Sequence, residues 1–454
     1  MVSNRLSLLA TILLIVPALL LAGCTPPTPP PSPTPWASAT PVAAGTTAPP
    51  SPTAIPTVTA TATPTPPPTN TPAPLLPTAT PDKVAITVWE NLPPGQSSQL
   101  AADVEAFQAQ FPRFQVTLRQ YDSPESFMTP LMAGQQSFDV VLASPGLLNS
   151  LHAAGQIAPM ADFFPPSFLD GFSAVPLSGA AADDQTWGLP QTAGFHLMLY
   201  YNKALVDTPP ATTSELLEMG QASAGEDGPP TLGLNALDPL WLVPWLAANG
   251  GWLADDSGTP ALDSPAMVAA LQLHQGWLSS IAPALTYQEM MEQFSSGKLA
   301  MMINGDWATG ELAASRDVDW GVALLPGLNQ GDDVTPAAPL VLAKYWAISQ
   351  TATQERALAS ATFLEFITQP ERQLAWAAKF GLLPTRRPAL DDPLITTDAI
   401  RRISAAQMRA GQTLPLGINP NQLLDAMRDP LAQLLAGSLT PEQAAKQMQQ
   451  NLAQ

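Results

Sequence analysis

The stretch KLAMMINGDWATG (298–310) holds the most suggestive chemistry in the chain. Four apolar residues, Leu299 to Met302, lead with Ile303 into the turn signal Asn304-Gly305, and a carboxylate, Asp306, is followed at once by an indole, Trp307. A flat apolar face beside a hydrogen-bonding acid suits noncovalent capture of a ligand. Trp89-Glu90, at the end of VAITVW, and Ser144, after FDVVLA, stand at comparable places where an apolar run gives way to a loop. A tryptophan after a strand more often packs than binds, so the positioning elements must decide.

Residues arranged for catalysis are missing. There is no G-x-S-x-G elbow and no H-E-x-x-H, and the three histidines, His152, His196 and His274, are far apart. Gly297-Lys298 falls short of a phosphate loop because Glu292 stands where the first glycine belongs. The acid pairs Asp183-Asp184, Asp255-Asp256, Asp332-Asp333 and Asp391-Asp392 lie among Gly, Pro and Ser and read as solvated turns. His274 falls on the stripe Met267, Leu271, His274, Leu278 and reads as a satisfied core histidine. Cys24 is the single cysteine, which leaves no disulfide and no cysteine-based zinc site. A binding protein without cofactor or metal is therefore expected rather than an enzyme.

Charge narrows the ligand. The 454 residues carry a formal net charge of −19, and all 37 acidic residues lie beyond position 81. That balance argues against nucleic acid or an anionic membrane surface and favours neutral or cationic ligands.

The chain divides by composition. Arg5 precedes an apolar run from Leu8 to Leu21, short for a bilayer span and closed by Leu21-Ala22-Gly23-Cys24, which reads as an export signal over residues 1–23. Residues 24–81 are dominated by Pro, Thr, Ala and Ser without a charge, and such a segment buries too little apolar surface to offset its ordering entropy. We expect a stalk with polyproline-II character, up to roughly 170 Å long at about 3.1 Å per residue. The remaining 370-odd residues exceed a single small core and suit two domains.

Within them strands alternate with helices. VAITVW (Val84 to Trp89) is a strand, the next helix sets Leu100, Val104, Phe107 and Phe111 on one face, and Phe114, Val116 and Leu118 alternate as a second strand. FDVVLAS (Phe138 to Ser144), HLMLYYN, DWGVALLP (Asp319 to Pro326) and LVLAKYWAIS (Leu340 to Ser349) continue the series. Helices follow at Thr353 to Thr368, Pro370 to Phe380 and on to the C-terminus. This alternation predicts an α/β protein with open, mostly parallel sheets, in which ligands bind beyond the carboxyl ends of the strands. Trp89-Glu90, Ser144 and Asn304 to Trp307 would all face such a cleft.

The order of segments resembles the extracellular solute-binding proteins of ABC importers, specifically the sugar-binding group similar to maltose-binding protein. The matching stretches include ITVWENLPPG, FDVVLASPGLLNSLHAAGQIAPM, WGLPQTAGFHLMLYYNKALV, PWLAANGGWL, FSSGKLAMMINGDWA and WGVALLPG, and with their neighbours they cover nearly all of Val84 to Arg387. The Leu-Ala-Gly-Cys ending likewise resembles a bacterial lipobox, which implies lipidation of Cys24. The resemblance implies the two-lobed periplasmic-binding-protein-like fold, with a hinge of crossing strands and an interlobe cleft. Lobe 1 is expected to comprise residues 82–190 plus 345–385, and lobe 2 residues 191–344 plus 386–454. Crossings are expected near Gly188 to Tyr201 and Leu340 to Ser349, with a later return near Pro384 to Asp391.

Carried over position by position, the family's ligand contacts fall on Trp89, Glu90, Ser144, Thr192, Phe195, Asp238, Trp241, Asp306, Trp307, Lys344, Tyr345 and Trp346. The resemblance implies a monomeric receptor, anchored by lipid on the extracytoplasmic face of the cell membrane, that captures a small carbohydrate by hinge closure and delivers it to ABC permease subunits. Departures from the family bear on the ligand. Only Ala143 to Gly146 stand where maltose-binding protein has aromatic and acidic residues, Leu424 replaces a late stacking aromatic, and Lys344-Tyr345-Trp346 is bulky where relatives carry glycines. A mono- or disaccharide or a polyol is expected on that ground. A polyamine or amino acid on the same fold, and a stalked glycan-active surface protein, are the alternatives.

Overall fold

The computed structural model describes residues 83–223, 231–255, 258–283, 285–315 and 317–452. The signal segment, Cys24 and the Pro/Thr-rich stretch lie outside the described residues.

Two sheets organise the rest. The first has the strand order Phe114–Gln120, Val84–Glu90, Val140–Ala143, Leu342–Ile348, Leu189–Gly194. The second has the order Trp320–Ala323, Leu197–Asn202, Met301–Gly305, Leu232–Gly233. Neither is mostly parallel, contrary to expectation. In the first sheet Val84–Glu90 runs parallel to both of its neighbours, whereas Leu342–Ile348 is antiparallel to both of its own. The second sheet is antiparallel except where Leu232–Gly233 meets Met301–Gly305. The cause is topological: Leu342–Ile348, which returns the chain to the first sheet, is inserted between two strands that run the opposite way, which the local alternation of elements cannot reveal.

Each sheet has its own core. On the first, Ile86, Val88, Leu100, Val104 and Phe107 pack with Phe363, Leu364, Phe366 and Ile367 of helix Gln354–Ile367. Phe107 meets Phe363 edge to face at 5.3 Å, so the stripe read from Leu100 to Phe107 is the buried one. Asp103, on the same helix, is buried because it accepts from Arg372 at 2.9 Å and from the Trp376 indole at 2.9 Å. Around the second sheet, Leu197 to Tyr200 and Met301 to Ile303 pack with Trp241, Trp245 and Leu271, and with Leu423, Met427, Leu431 and Met448 from the C-terminal helices. The molecule thus has two lobes, and the end of the chain completes the second.

His274 is buried there, its Nε2–H donating to the Ala236 carbonyl at 2.9 Å, as a core histidine would be. Burial holds its pKa below the usual histidine value, with the Ala236 bond partly opposing. A depressed histidine contributes stability above its unfolded pKa near 6.5 and loses it as pH falls through the folded value. The apo melting temperature is therefore expected to drop on acidification below about pH 6.5, with a shallower slope in His274→Gln. Equal slopes for the two proteins over pH 5–7 would refute the assignment.

The lobes are joined by a seam of polar and apolar contacts. Leu189–Gly194 ends the first sheet and Leu197–Asn202 begins the second, with only Phe195 and His196 between. Gln373 staples this region: its amide donates to the Gln191 carbonyl at 3.0 Å, and its carbonyl accepts from the Thr385 and Arg386 backbone, each at 2.8 Å. Ala193, Val341, Ala377, Leu383, Leu390 and Met408 form a small apolar cluster beside it.

Candidate functional site

A cavity of about 730 Å³ lies between the two sheets. Its walls come from far-separated segments: Ser144 and Pro145, Thr192 to Phe195, Asp306 and Trp307, Leu342 to Lys344, Lys379 and Phe380, and Asp398, Ile400 and Arg401. Of the residues named from sequence, Ser144, Thr192, Phe195, Asp306, Trp307 and Lys344 come together there.

Trp307 is set by the strand before it. Met301–Gly305 is buried throughout, and its end is held by Tyr200, whose hydroxyl donates to the Gly305 carbonyl at 2.7 Å, and by the Trp241 indole, which donates to the Ile303 carbonyl at 2.6 Å. The Trp307 ring folds back over Gly305 so closely that a Cβ there would collide with it. Its indole N–H donates to the Tyr287 hydroxyl at 3.0 Å, and the ring is left half-buried, 4.9 Å from that of Phe195 at an interplanar angle of 37°. The two rings form a tilted apolar wedge, and Phe195 is 43% exposed. Trp320 and Phe380 add aromatic surface to the same cavity.

Polar groups flank the wedge. Lys344 lines the cavity and donates to the Asn91 carbonyl at 2.6 Å. Burial pulls its pKa below the usual lysine value, while Glu90 pulls it back. Asp306 accepts from the Phe195 backbone N–H at 3.0 Å, and its carboxyl is raised above the usual carboxylate range by burial, with His196 and that N–H opposing. His196 is fully buried at the crossing, bonded to Ser404 at 3.0 Å, and burial holds it below the usual histidine value. Arg401 and Asp398 line the far wall 3.7 Å apart.

Six expected contacts are placed otherwise. Tyr345 and Trp346 are buried in the first lobe, where the phenol donates to the Pro176 carbonyl at 2.9 Å and the indole to Gln191 at 2.6 Å. The sheet is covered on both faces and a register shift falls between Lys344 and Tyr345, so only Lys344 reaches the cavity. Their bulk does not narrow the cleft, and the argument for a mono- or disaccharide on that ground falls. Trp241 is buried behind Trp307, ring centroids 6.3 Å apart. Asp238 caps the short turn Pro239–Trp241 and pairs with Arg428 at 3.7 Å. Trp89 packs edge to face on Phe127 at 5.5 Å. Glu90 is buried, accepting from the Leu92 N–H at 2.6 Å and from Gln120 at 2.9 Å.

Sequence reading missed Trp320, Lys379, Phe380, Asp398 and Arg401. Phe380 and Lys379 close the helix Pro370–Phe380 and Asp398 caps the helix Ala399–Ala410. Helix ends were the available signal, but nothing local shows which of them converge.

Two sheets joined by crossing strands around an aromatic-lined cleft are an architecture made for capture, and sequence comparison agrees. Residues 102–402 match the bacterial extracellular solute-binding protein family. The chain belongs to that family. A maltooligosaccharide ABC transporter solute-binding lipoprotein of Streptococcus pneumoniae is 26% identical over 68% of this solute-binding protein and 73% of its own length. A maltotriose-binding protein of Pyrococcus abyssi is 23% identical, covering 69% of each chain. Among solved structures, the maltose/maltodextrin-binding domain MalE of Bdellovibrio bacteriovorus, bound to maltotriose, superposes with a TM-score of 0.64 at 26% identity, over 82% of this chain and 99% of that one. These relatives are named as binding proteins, and the fold is the two-lobed one of sugar receptors.

Proposed function

We propose that this solute-binding protein captures a malto-oligosaccharide in the interlobe cleft and delivers it to an ABC permease. The carrying observation is the Phe195–Trp307 wedge at the floor of a cavity of about 730 Å³. Aromatic faces stack on the C–H faces of pyranose rings, and Lys344, Thr192 and Ser144 supply hydrogen-bonding groups for hydroxyls. The cavity lies within the size range of ligand sites, about 300–1,000 Å³, and neither Tyr345 nor Trp346 lines it. The names of the relatives favour the same ligand class over the smaller sugar or polyol expected from sequence.

Capture would proceed by closure of the lobe built on the first sheet against the lobe built on the second, about the crossing at Phe195-His196. Lipidation at Cys24 would hold the receptor at the extracytoplasmic face. A ligand binding only the folded state stabilises it by RT ln(1 + [L]/Kd), about 2.7 kcal/mol at a hundredfold excess over Kd. Maltotriose is therefore expected to raise the melting temperature by several degrees, about 2–4 °C per kcal/mol in smaller domains. Small-angle scattering with maltotriose present should show a smaller radius. A melt shifted by a polyamine or amino acid but by no carbohydrate would overturn the sugar reading.

A further inference from the structure

Phe195 is a bulky residue in a glycine's conformation. Its φ is +61°, in the left-handed region, at the point where the chain leaves the first sheet for the second. Such a backbone is strained at a non-glycine residue and persists only where the surroundings impose it. Its effect is to hold a phenyl ring out into the cleft, 43% exposed, beside Trp307.

The surroundings that impose it are those of Asp306. Oδ1 of Asp306 accepts from the Phe195 N–H at 3.0 Å, and the Asp306 N–H donates to the His196 carbonyl at 3.0 Å, so one residue grips the crossing at two points. Oδ2 points at the same segment: a Cβ on Gly194 would collide with it, and it lies 3.8 Å from Nδ1 of His196. His196 is held in turn through Nε2 by Ser404. Both carboxylate oxygens therefore face the hinge backbone, and the side chain is only 20% exposed.

We propose that Asp306 is a positioning residue: its carboxylate holds the crossing at Phe195 in the left-handed conformation that completes the aromatic wedge, and it does not contact the ligand. This rests on the reading of the wedge as an oligosaccharide platform. The selectivity of the cleft for a ring-shaped ligand then depends on a hydrogen bond made behind the ring that touches it.

The test compares maltotriose affinity in Asp306→Ala, Asp306→Asn, Phe195→Ala and the double variant Asp306→Ala/Phe195→Ala, together with amide deuterium exchange at Phe195 without ligand. Asp306→Ala is expected to weaken binding about tenfold or more. Asp306→Asn keeps an acceptor for the Phe195 N–H and should stay within about threefold of the parent, and the double variant should bind no worse than Phe195→Ala alone. Exchange at the Phe195 amide should rise in Asp306→Ala and stay slow in Asp306→Asn. Additive losses, an Asp306→Asn as weak as Asp306→Ala, or unchanged exchange would overturn the proposal. If Asp306→Ala folds poorly, Phe195→Gly in that background should restore stability, because glycine holds positive φ without the clasp; no restoration also counts against it. Failure of the parent protein to bind maltotriose would overturn the oligosaccharide reading alone, and the exchange measurement would still decide the role of Asp306.

Discussion

Trp307→Ala is expected to weaken oligosaccharide binding at least roughly thirtyfold, because a rigid aromatic anchor in a desolvated pocket carries about 2 kcal/mol or more. The ring is not free of structural duty: it packs against the second lobe's core and its indole N–H is bonded to Tyr287. A fully buried Trp→Ala costs about 3–5 kcal/mol of stability, so a half-buried ring should cost less, and a modest fall in apo melting temperature should accompany the loss of affinity. Measuring both the melt and the Kd for maltotriose separates the contributions. A lowered melt with affinity unchanged would make Trp307 a packing residue and remove the platform.

Gly305→Ala should produce much of the same loss with the indole still present. The added methyl would occupy the space of the Trp307 ring, and the backbone cannot retreat, because the Gly305 carbonyl is bonded to Tyr200 and its N–H to the Asn304 side chain at 2.8 Å. The ring must swing away instead. Overpacking of this kind costs about 1–3 kcal/mol, and displacement of the ring should lower affinity about tenfold or more. Adding Trp307→Ala to Gly305→Ala should recover melting temperature, because the colliding partner is gone. If Gly305→Ala binds maltotriose like the parent, the close approach of ring to strand is not what orients Trp307.

These two residues were visible in the sequence because their signals are local. An apolar run that stops at Asn-Gly marks a buried strand and its turn; the apolar run Val84 to Trp89 was likewise read as a strand, and Val84–Glu90 is one. The stripe at Leu100, Val104 and Phe107 was legible for the same reason, since helical periodicity says which face is buried. Orientation on a strand covered on both faces has no such signal. Lys344, Tyr345 and Trp346 are consecutive, yet one lines the cavity and two are buried, a distinction made by a register shift and by partners more than 150 residues away in sequence. Glu90 and Asp238 were misread for a related reason: a carboxylate after a strand looks the same in sequence whether it meets a ligand or satisfies backbone and side-chain donors.

The strand Leu342–Ile348 sits in the interior of the first sheet, between Val140–Ala143 and Leu189–Gly194. Tyr345 pairs with Ala143 across about 200 residues of intervening chain, and such separations slow the search for native pairing. During synthesis the ribosome must deliver that strand before the sheet can close; the strands of the second sheet are made in the interval, and the C-terminal helices that pack on them come later still. The three parallel strands already present would meanwhile offer an open edge at Val140–Ala143, a template for wrong pairing. Completion of the first sheet waits on that late strand, which makes the yield of folded protein sensitive to anything that lets the early half collapse alone.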